Sequence, residues 1–303
     1  MILAGQSQST DILAQLDKEG LAVLPNFVQG EVLTGMQRAF NSRLKRQRWN
    51  NFEGYERTER FRLMVENVLL LDQGFVSTAL DPAVKEILRS YLGDRFRLVE
   101  AKGWRSLPTR RKFHAWHGDA WYDQKTVSGI PREVKLGLYL TDVSSGAFRY
   151  IRGTHRQHQP RDWRNHEIDA FPAADISVVT GKAGTAFLFD TSGIHGQSWP
   201  ILEPRHAVFF NYHDSAIPLQ EEDLAADRYH PLLLNAAFLG GLSSEDYFIL
   251  GFGDKTNFIP AFERPSKHES FQRSQTGRFT RKLFMEDFTS RVKARLGVMF
   301  GGK

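Results

Sequence analysis

The residues of this chain best suited to chemistry are His117 and Asp119, separated by one glycine, and a distant His195 set in Gly193-Ile194-His195-Gly196. If residues 117–119 are extended, both side chains project to the same side, because alternate residues of a strand share a face. An imidazole then stands beside a carboxylate. A second imidazole from another strand would complete the two-histidine, one-carboxylate set that leaves coordination positions open, the arrangement of non-haem iron(II) oxygenases. The same ligands with a water would also suit a hydrolytic zinc centre. There is no cysteine, so disulfides, thiolate-bound zinc, iron–sulfur clusters and thiol nucleophiles are excluded. Any metal must rest on histidine, aspartate or glutamate.

Elements able to hold such residues follow from the rest of the chain. At 303 residues, 41% hydrophobic and 12% aromatic, it has ample material for a packed core. Without repeats, low-complexity tracts or a Pro/Ser-rich linker, one domain over residues 1–303 is expected. Both ends read as helical. Thr10 is expected to cap a helix to Glu19, Leu21 to Pro25 reads as a strand, and Glu31 to Arg48 reads as a second helix. A further helix follows Asp81-Pro82 and stops at Gly93. Between about 95 and 214 the pattern changes to short β runs, 95–100, 134–141, 148–151, 176–180, 185–189 and 206–212, separated by Gly, Pro, Ser and Asp. That spacing predicts a β core, barrel or double sheet, with a helical N-terminal part over 1–94 and a helical C-terminal extension over 215–303.

A net charge of +5 and a pI near 9.4 arise from clustered bases, among them Arg105, Arg110, Arg111 and Lys112. Most read as solvated surface. Arg105, Arg110 and Arg111 are the candidates for attracting an anionic or carrier-linked small substrate. No DNA- or RNA-binding motif accompanies the charge, so nucleic acid is not expected as a partner. Residues 1–20 lack the basic start and apolar stretch of a signal peptide, and the apolar run 231–242 is too short to span a bilayer. A cytoplasmic protein is expected. The C-terminal repeat of Phe279, Leu283, Phe284, Phe288, Val292 and Leu296 among basic residues predicts a helix that docks on the core or lies on a membrane surface.

A resemblance sharpens this reading. The run from Leu136 through Thr141-Asp142-Val143-Ser144-Ser145-Gly146 to Gly153-Thr154-His155-Arg156, together with His117-x-Asp119, Gly193-Ile194-His195-Gly196 and Arg205, resembles the phytanoyl-CoA dioxygenase family of iron(II)/2-oxoglutarate oxygenases. The similarity runs from about residue 10 to 214 and is strongest between 113 and 213. It implies a double-stranded β-helix, a cupin-like jelly roll with helices outside, mainly β in class. It implies that His117, Asp119 and His195 bind Fe(II) and that Arg205 holds the remote carboxylate of 2-oxoglutarate through its guanidinium fork. Lys102 is a second candidate for that co-substrate, and Trp116, Trp121 and Tyr122 are candidates for the substrate pocket.

The implied activity uses O2 and 2-oxoglutarate to hydroxylate an aliphatic carbon, releasing succinate and CO2. The retained Asp119 argues for oxygenation, since halogenating relatives replace that carboxylate with a small residue. Desaturation, cyclisation and epimerisation use the same iron site and stay open. The readings from other classes are a zinc hydrolase and a non-catalytic jelly-roll binding protein.

Overall fold

The computed structural model describes residues 6–45, 61–65, 67–112, 115–119, 132–157, 168, 170–214 and 232–252, with the isolated positions 285, 288, 289 and 292. The chain begins with α1 (Gln6–Glu19), β1 (Leu21–Leu24) and α2 (Gly30–Leu44). A short strand β2 (Arg62–Val65) precedes α3 (Gln73–Ala79) and α4 (Pro82–Leu92). The β region then runs β3 (Phe96–Ser106), β4 (Glu133–Tyr139), β5 (Val143–Ile151), β6 (Ile176–Gly181), β7 (Ala186–Asp190), β8 (His195–Gln197) and β9 (Arg205–Asp214).

The helix ends follow capping chemistry. Asp81 accepts from the amides of Ala83 at 3.0 Å and Val84 at 3.4 Å, and Pro82 fills the first turn, as anticipated. Asp72 caps α3 in the same way through Gly74 at 2.8 Å, a helix too short to show a periodic stripe in the sequence. Two boundaries differ from expectation: α1 starts at Gln6 rather than after Thr10, and the described part of α2 ends at Leu44.

Strands β1-β7-β4-β9-β3-β2 form a six-stranded sheet in that order, and β6-β5-β8 form a three-stranded one, with every pair antiparallel. Residues 115–119 extend the smaller sheet, since His117 and His195 exchange backbone hydrogen bonds of 2.9 Å in both directions. The two sheets close on Tyr139, Phe148, Tyr150, Phe187 and Phe189, the rings of Phe148 and Phe187 stacking 4.7 Å apart. This is the jelly roll expected. The opposite face of the large sheet carries Val134, Leu136, Leu138, Leu188, Val208 and Phe210, buried in one core with residues of α1 to α4. Alternation thus gives each strand a helix-facing side and a barrel-facing side.

Several strands are longer than their apolar runs. β3 continues to Ser106 through Glu100, Lys102 and Arg105, β4 starts at Glu133, and β5 starts at Val143. Charged positions hid the extension of β3 and the start of β4, because charge in a strand is ordinarily read as a solvent face, and Ser144-Ser145-Gly146 hid the start of β5, because Ser and Gly read as a turn.

Residue contacts group into two units, Met1–Phe252 and Gly253–Lys303. In the first unit, the described part of the C-terminal extension holds a short α5 (Ser244–Ile249), closed by a capping box between Ser243 and Asp246. It docks on α4 and β3: Lys85 of α4 meets Asp246 at 2.6 Å, and Arg97 of β3 donates to the Phe248 carbonyl at 3.0 Å. In the second unit, Met285, Phe288, Thr289 and Val292 are helical; the remainder of the expected basic helix lies outside the described residues. Among the described residues no helix is long and apolar enough to cross a membrane.

Candidate metal centre

His117 lies on the strand-like segment that pairs with β8, and His195 opens β8, so both imidazoles enter the barrel from the smaller sheet. Asp119 follows two residues on, its amide bonded to the Thr191 carbonyl at 2.9 Å just after β7. The prediction that His117 and Asp119 share a face holds. The three side chains converge, their candidate ligand atoms all within 4.8 Å of one another. Asp119 Oδ1 is 3.6 Å from His117 Nε2, and Asp119 Oδ2 is 3.6 Å from His195 Nε2.

Each imidazole has its other nitrogen fixed. His117 Nδ1 is 2.9 Å from the Ala115 carbonyl and His195 Nδ1 is 2.8 Å from the Gly193 carbonyl. A proton on Nδ1 donated to these carbonyls leaves Nε2 as a lone pair aimed at the shared point, the tautomer a metal requires. Burial, reinforced by the neighbouring His195, pushes His117 down to about 4, so it is neutral near pH 7. Burial would raise the Asp119 carboxyl, but Lys135 and His195 beside it outweigh that and hold it well below the usual carboxylate range. Two imidazoles that can each offer Nε2, beside one ionised carboxylate, fit a divalent metal. Gly193 is required by packing, since a Cβ there would overlap the Tyr150 hydroxyl.

Arg205 opens β9 on the barrel-facing side, in the same alternating series as Ala207 and Phe209. Its guanidinium is buried, donating from Nη1 to the Gly146 carbonyl at 2.6 Å and from Nη2 to Ser106 Oγ at 3.4 Å, while Nε meets no acceptor. Among the described residues no carboxylate pairs with it. A buried cation of this kind calls for an anion.

The other predicted residues divide. Lys102 does face the interior, opposite Phe209 in the register and ion-paired with Glu100. Arg105 is on the reverse side of β3, the side where Gly103 packs against Phe40 of α2, so it does not join the site. Arg110 and Arg111 are exposed beside Thr109, which bridges Ile201 at the Ser106 end of β3, and they do not join it either. Trp116 is also turned away. It stacks on Arg149 at 3.7 Å and packs with Ile151 and Ile194 on the outer face of the smaller sheet, because its neighbour His117 takes the inward position. Trp121 and Tyr122 lie outside the described residues.

Sequence reasoning missed the charged inner wall. Lys135 of β4 reaches Asp119 Oδ2 at 2.5 Å, and cross-strand neighbours place Lys135, Asn211 and Glu100 in one row. Glu133 lies two residues from Lys135 on the same face and accepts from the Asn211 side chain; burial pushes its carboxyl well above the ordinary value. The signal was present in Glu133-Val134-Lys135-Leu136-Gly137-Leu138, a strict alternation in which the charged face turns inward.

Comparison with known proteins agrees with this geometry. Residues 16–198 match the family model described as Phytanoyl-CoA dioxygenase (PhyH). The chain is 30% identical to an ectoine dioxygenase from Nocardia farcinica, over 31% of this chain and 40% of that protein, so it spans less than half the length of this relative. Among solved structures it resembles HygX from Streptomyces hygroscopicus with nickel, 2-oxoglutarate and hygromycin B bound, at 21% identity and a TM-score of 0.51 over 68% of this chain and 87% of that one. It also resembles the epimerase SnoN in complex with Fe3+, alpha ketoglutarate and nogalamycin RO, at 17% identity and a TM-score of 0.54 over 79% and 92% of the two chains. These two likenesses establish the jelly-roll fold.

Proposed function

The chain belongs to the phytanoyl-CoA dioxygenase family, and we propose that it is an iron(II)- and 2-oxoglutarate-dependent dioxygenase that hydroxylates an aliphatic carbon of a small molecule, with release of succinate and CO2. The observation that carries this reading is the pairing of the His117, Asp119 and His195 cluster with a buried Arg205 guanidinium that has no carboxylate partner among the described residues. A zinc hydrolase would need the first feature but not the second.

In this reading His117, Asp119 and His195 hold iron, Arg205 receives the remote carboxylate of 2-oxoglutarate, and Lys102 on the same interior wall is a further contact for it. Bound iron supplies the redox chemistry that couples O2 reduction and 2-oxoglutarate decarboxylation to oxidation of a C–H bond. The protein supplies order around it. The Ala115 and Gly193 carbonyls fix the imidazole tautomers, and Lys135 keeps Asp119 ionised and oriented. Phe148, Tyr150 and Phe189 surround His195 with ring centroids 5.1 to 6.4 Å away and exclude water from that side.

The test is anaerobic addition of Fe(II) and 2-oxoglutarate to the purified metal-free protein, watching for the visible charge-transfer band of the chelate. A band that His195→Ala abolishes and Arg205→Ala weakens supports the reading. A folded, metal-loaded protein with no band refutes it.

A further inference from the structure

We propose that the substrate of this enzyme presents hydrogen-bond donors, amine or hydroxyl groups, to the inner wall formed by Glu100, Glu133, Lys135 and Asn211, and that the wall does not receive a hydrocarbon chain. The inference rests on the oxygenase reading above and specifies which substrates that site takes.

Position comes first. Lys135, Asn211 and Glu100 are direct cross-strand partners on β4, β9 and β3, and Glu133 stands opposite His213 one step along the same face. Side chains of directly opposed residues lie about 5 Å apart, so these groups form one continuous patch. The patch adjoins the metal ligands, since Lys135 is bonded to Asp119. Access comes from that side: the Asp119, Lys135 and Lys102 side chains keep 25%, 16% and 15% of their surface exposed, whereas Glu100 keeps 8%. Anything bound beside the metal would meet the lysines and aspartate first and the acids and amide behind them.

Chemistry then selects the ligand. Asn211 is buried and gives its amide hydrogens to Glu133, yet its Oδ1 meets no donor. Both lysines of the wall are already engaged, Lys135 by Asp119 and Lys102 by Glu100, so neither answers Asn211 Oδ1. The unmet need is for donors. A methylene chain laid against Asn211 would offer its Oδ1 nothing, whereas an ammonium or hydroxyl group would give it a donor. The arginines that suggested an anionic substrate are absent from this wall, Arg105 facing α2 and Arg110 and Arg111 standing on the exposed loop after β3.

The experiment titrates the Fe(II)- and 2-oxoglutarate-loaded protein, without oxygen, with four probes: glucosamine, glucose, 1,4-diaminobutane and octanoyl-CoA. Displacement of the charge-transfer band and calorimetric heat are both recorded. Glucosamine is expected to bind, with glucose and the diamine separating the hydroxyl and amine contributions, and octanoyl-CoA is expected to be silent. Asn211→Leu should weaken glucosamine roughly tenfold to a hundredfold, the loss of one or two hydrogen bonds to a charged wall. Binding of octanoyl-CoA in preference to the donors, silence toward all three donor-bearing probes, or an unchanged glucosamine affinity in Asn211→Leu overturns the proposal. A missing charge-transfer band would instead count against the oxygenase reading, and calorimetry on the same protein still decides whether the wall binds donors.

Discussion

One side of the barrel, from β5 and β7, presents Phe148, Tyr150, Phe187 and Phe189 to the interior, whereas the side from β3, β4 and β9 presents Glu100, Lys102, Glu133, Lys135 and Asn211. Both border the same candidate metal centre, and both belong to strands whose other face packs on the helices or on the outer surface. The aromatic side contributes cohesion: rings stacked 4.7 Å apart bury large apolar area and hold His195 in place. The charged side contributes little to stability, because buried ion pairs lose most of their Coulombic gain to desolvation. Its presence is explained by what it binds and orients. The barrel therefore divides its labour between a wall that keeps it folded and a wall that recognises ligands.

That division can be broken at several points. The largest effect is expected for His195→Ala, which should reduce metal-dependent succinate formation to background, measured with 2-oxoglutarate in air. On the aromatic wall, Phe187→Ala should cost about 3–5 kcal/mol of folding stability through the cavity it leaves, read from urea unfolding. On the ligand side, Arg205→Ala should leave the fold intact by circular dichroism and raise the KM for 2-oxoglutarate about 100-fold, the consequence of removing a buried guanidinium from a carboxylate. Lys135→Met should weaken Co(II) binding about 10- to 100-fold, the usual consequence of losing the partner of a metal ligand. If replacing both partners of the Lys102–Glu100 pair, in Lys102→Met with Glu100→Leu, lowers stability as much as Phe187→Ala, the contrast between the walls fails.

The smallest effect concerns pH. Burial holds His206 and His213 at about 4, below the ordinary 6.5. Their unfolded forms take up protons between pH 6.5 and 4 while the folded forms do not, so stability falls as pH drops through that window. The melting temperature of the metal-free protein should decline from pH 6.5 to 4, and His213→Gln should flatten part of the decline.

Local pattern made much of this legible. The Asp81-Pro82 cap, the short β runs that become β6 and β7, and the His117-Gly118-Asp119 spacing each depend on residues close in the chain, and each appears in the structure as anticipated. Arg105 and Trp116 went astray for a related reason. Period-two alternation states that neighbours such as His117 and Trp116 point in opposite directions, but the residue types alone did not say which direction held the ligand.

From the sequence by itself come the candidate ligand types, their order, the lack of cysteine alternatives and a β core, because composition and short spacing determine them, while the jelly-roll class came from the family resemblance. Tertiary structure alone decided that Lys135 meets Asp119, that Asn211 joins Glu133, and that charges in β3 and β4 face inward. Those facts depend on the register between strands separated by many residues. A shift of one residue in that register would turn every one of these side chains to the opposite face.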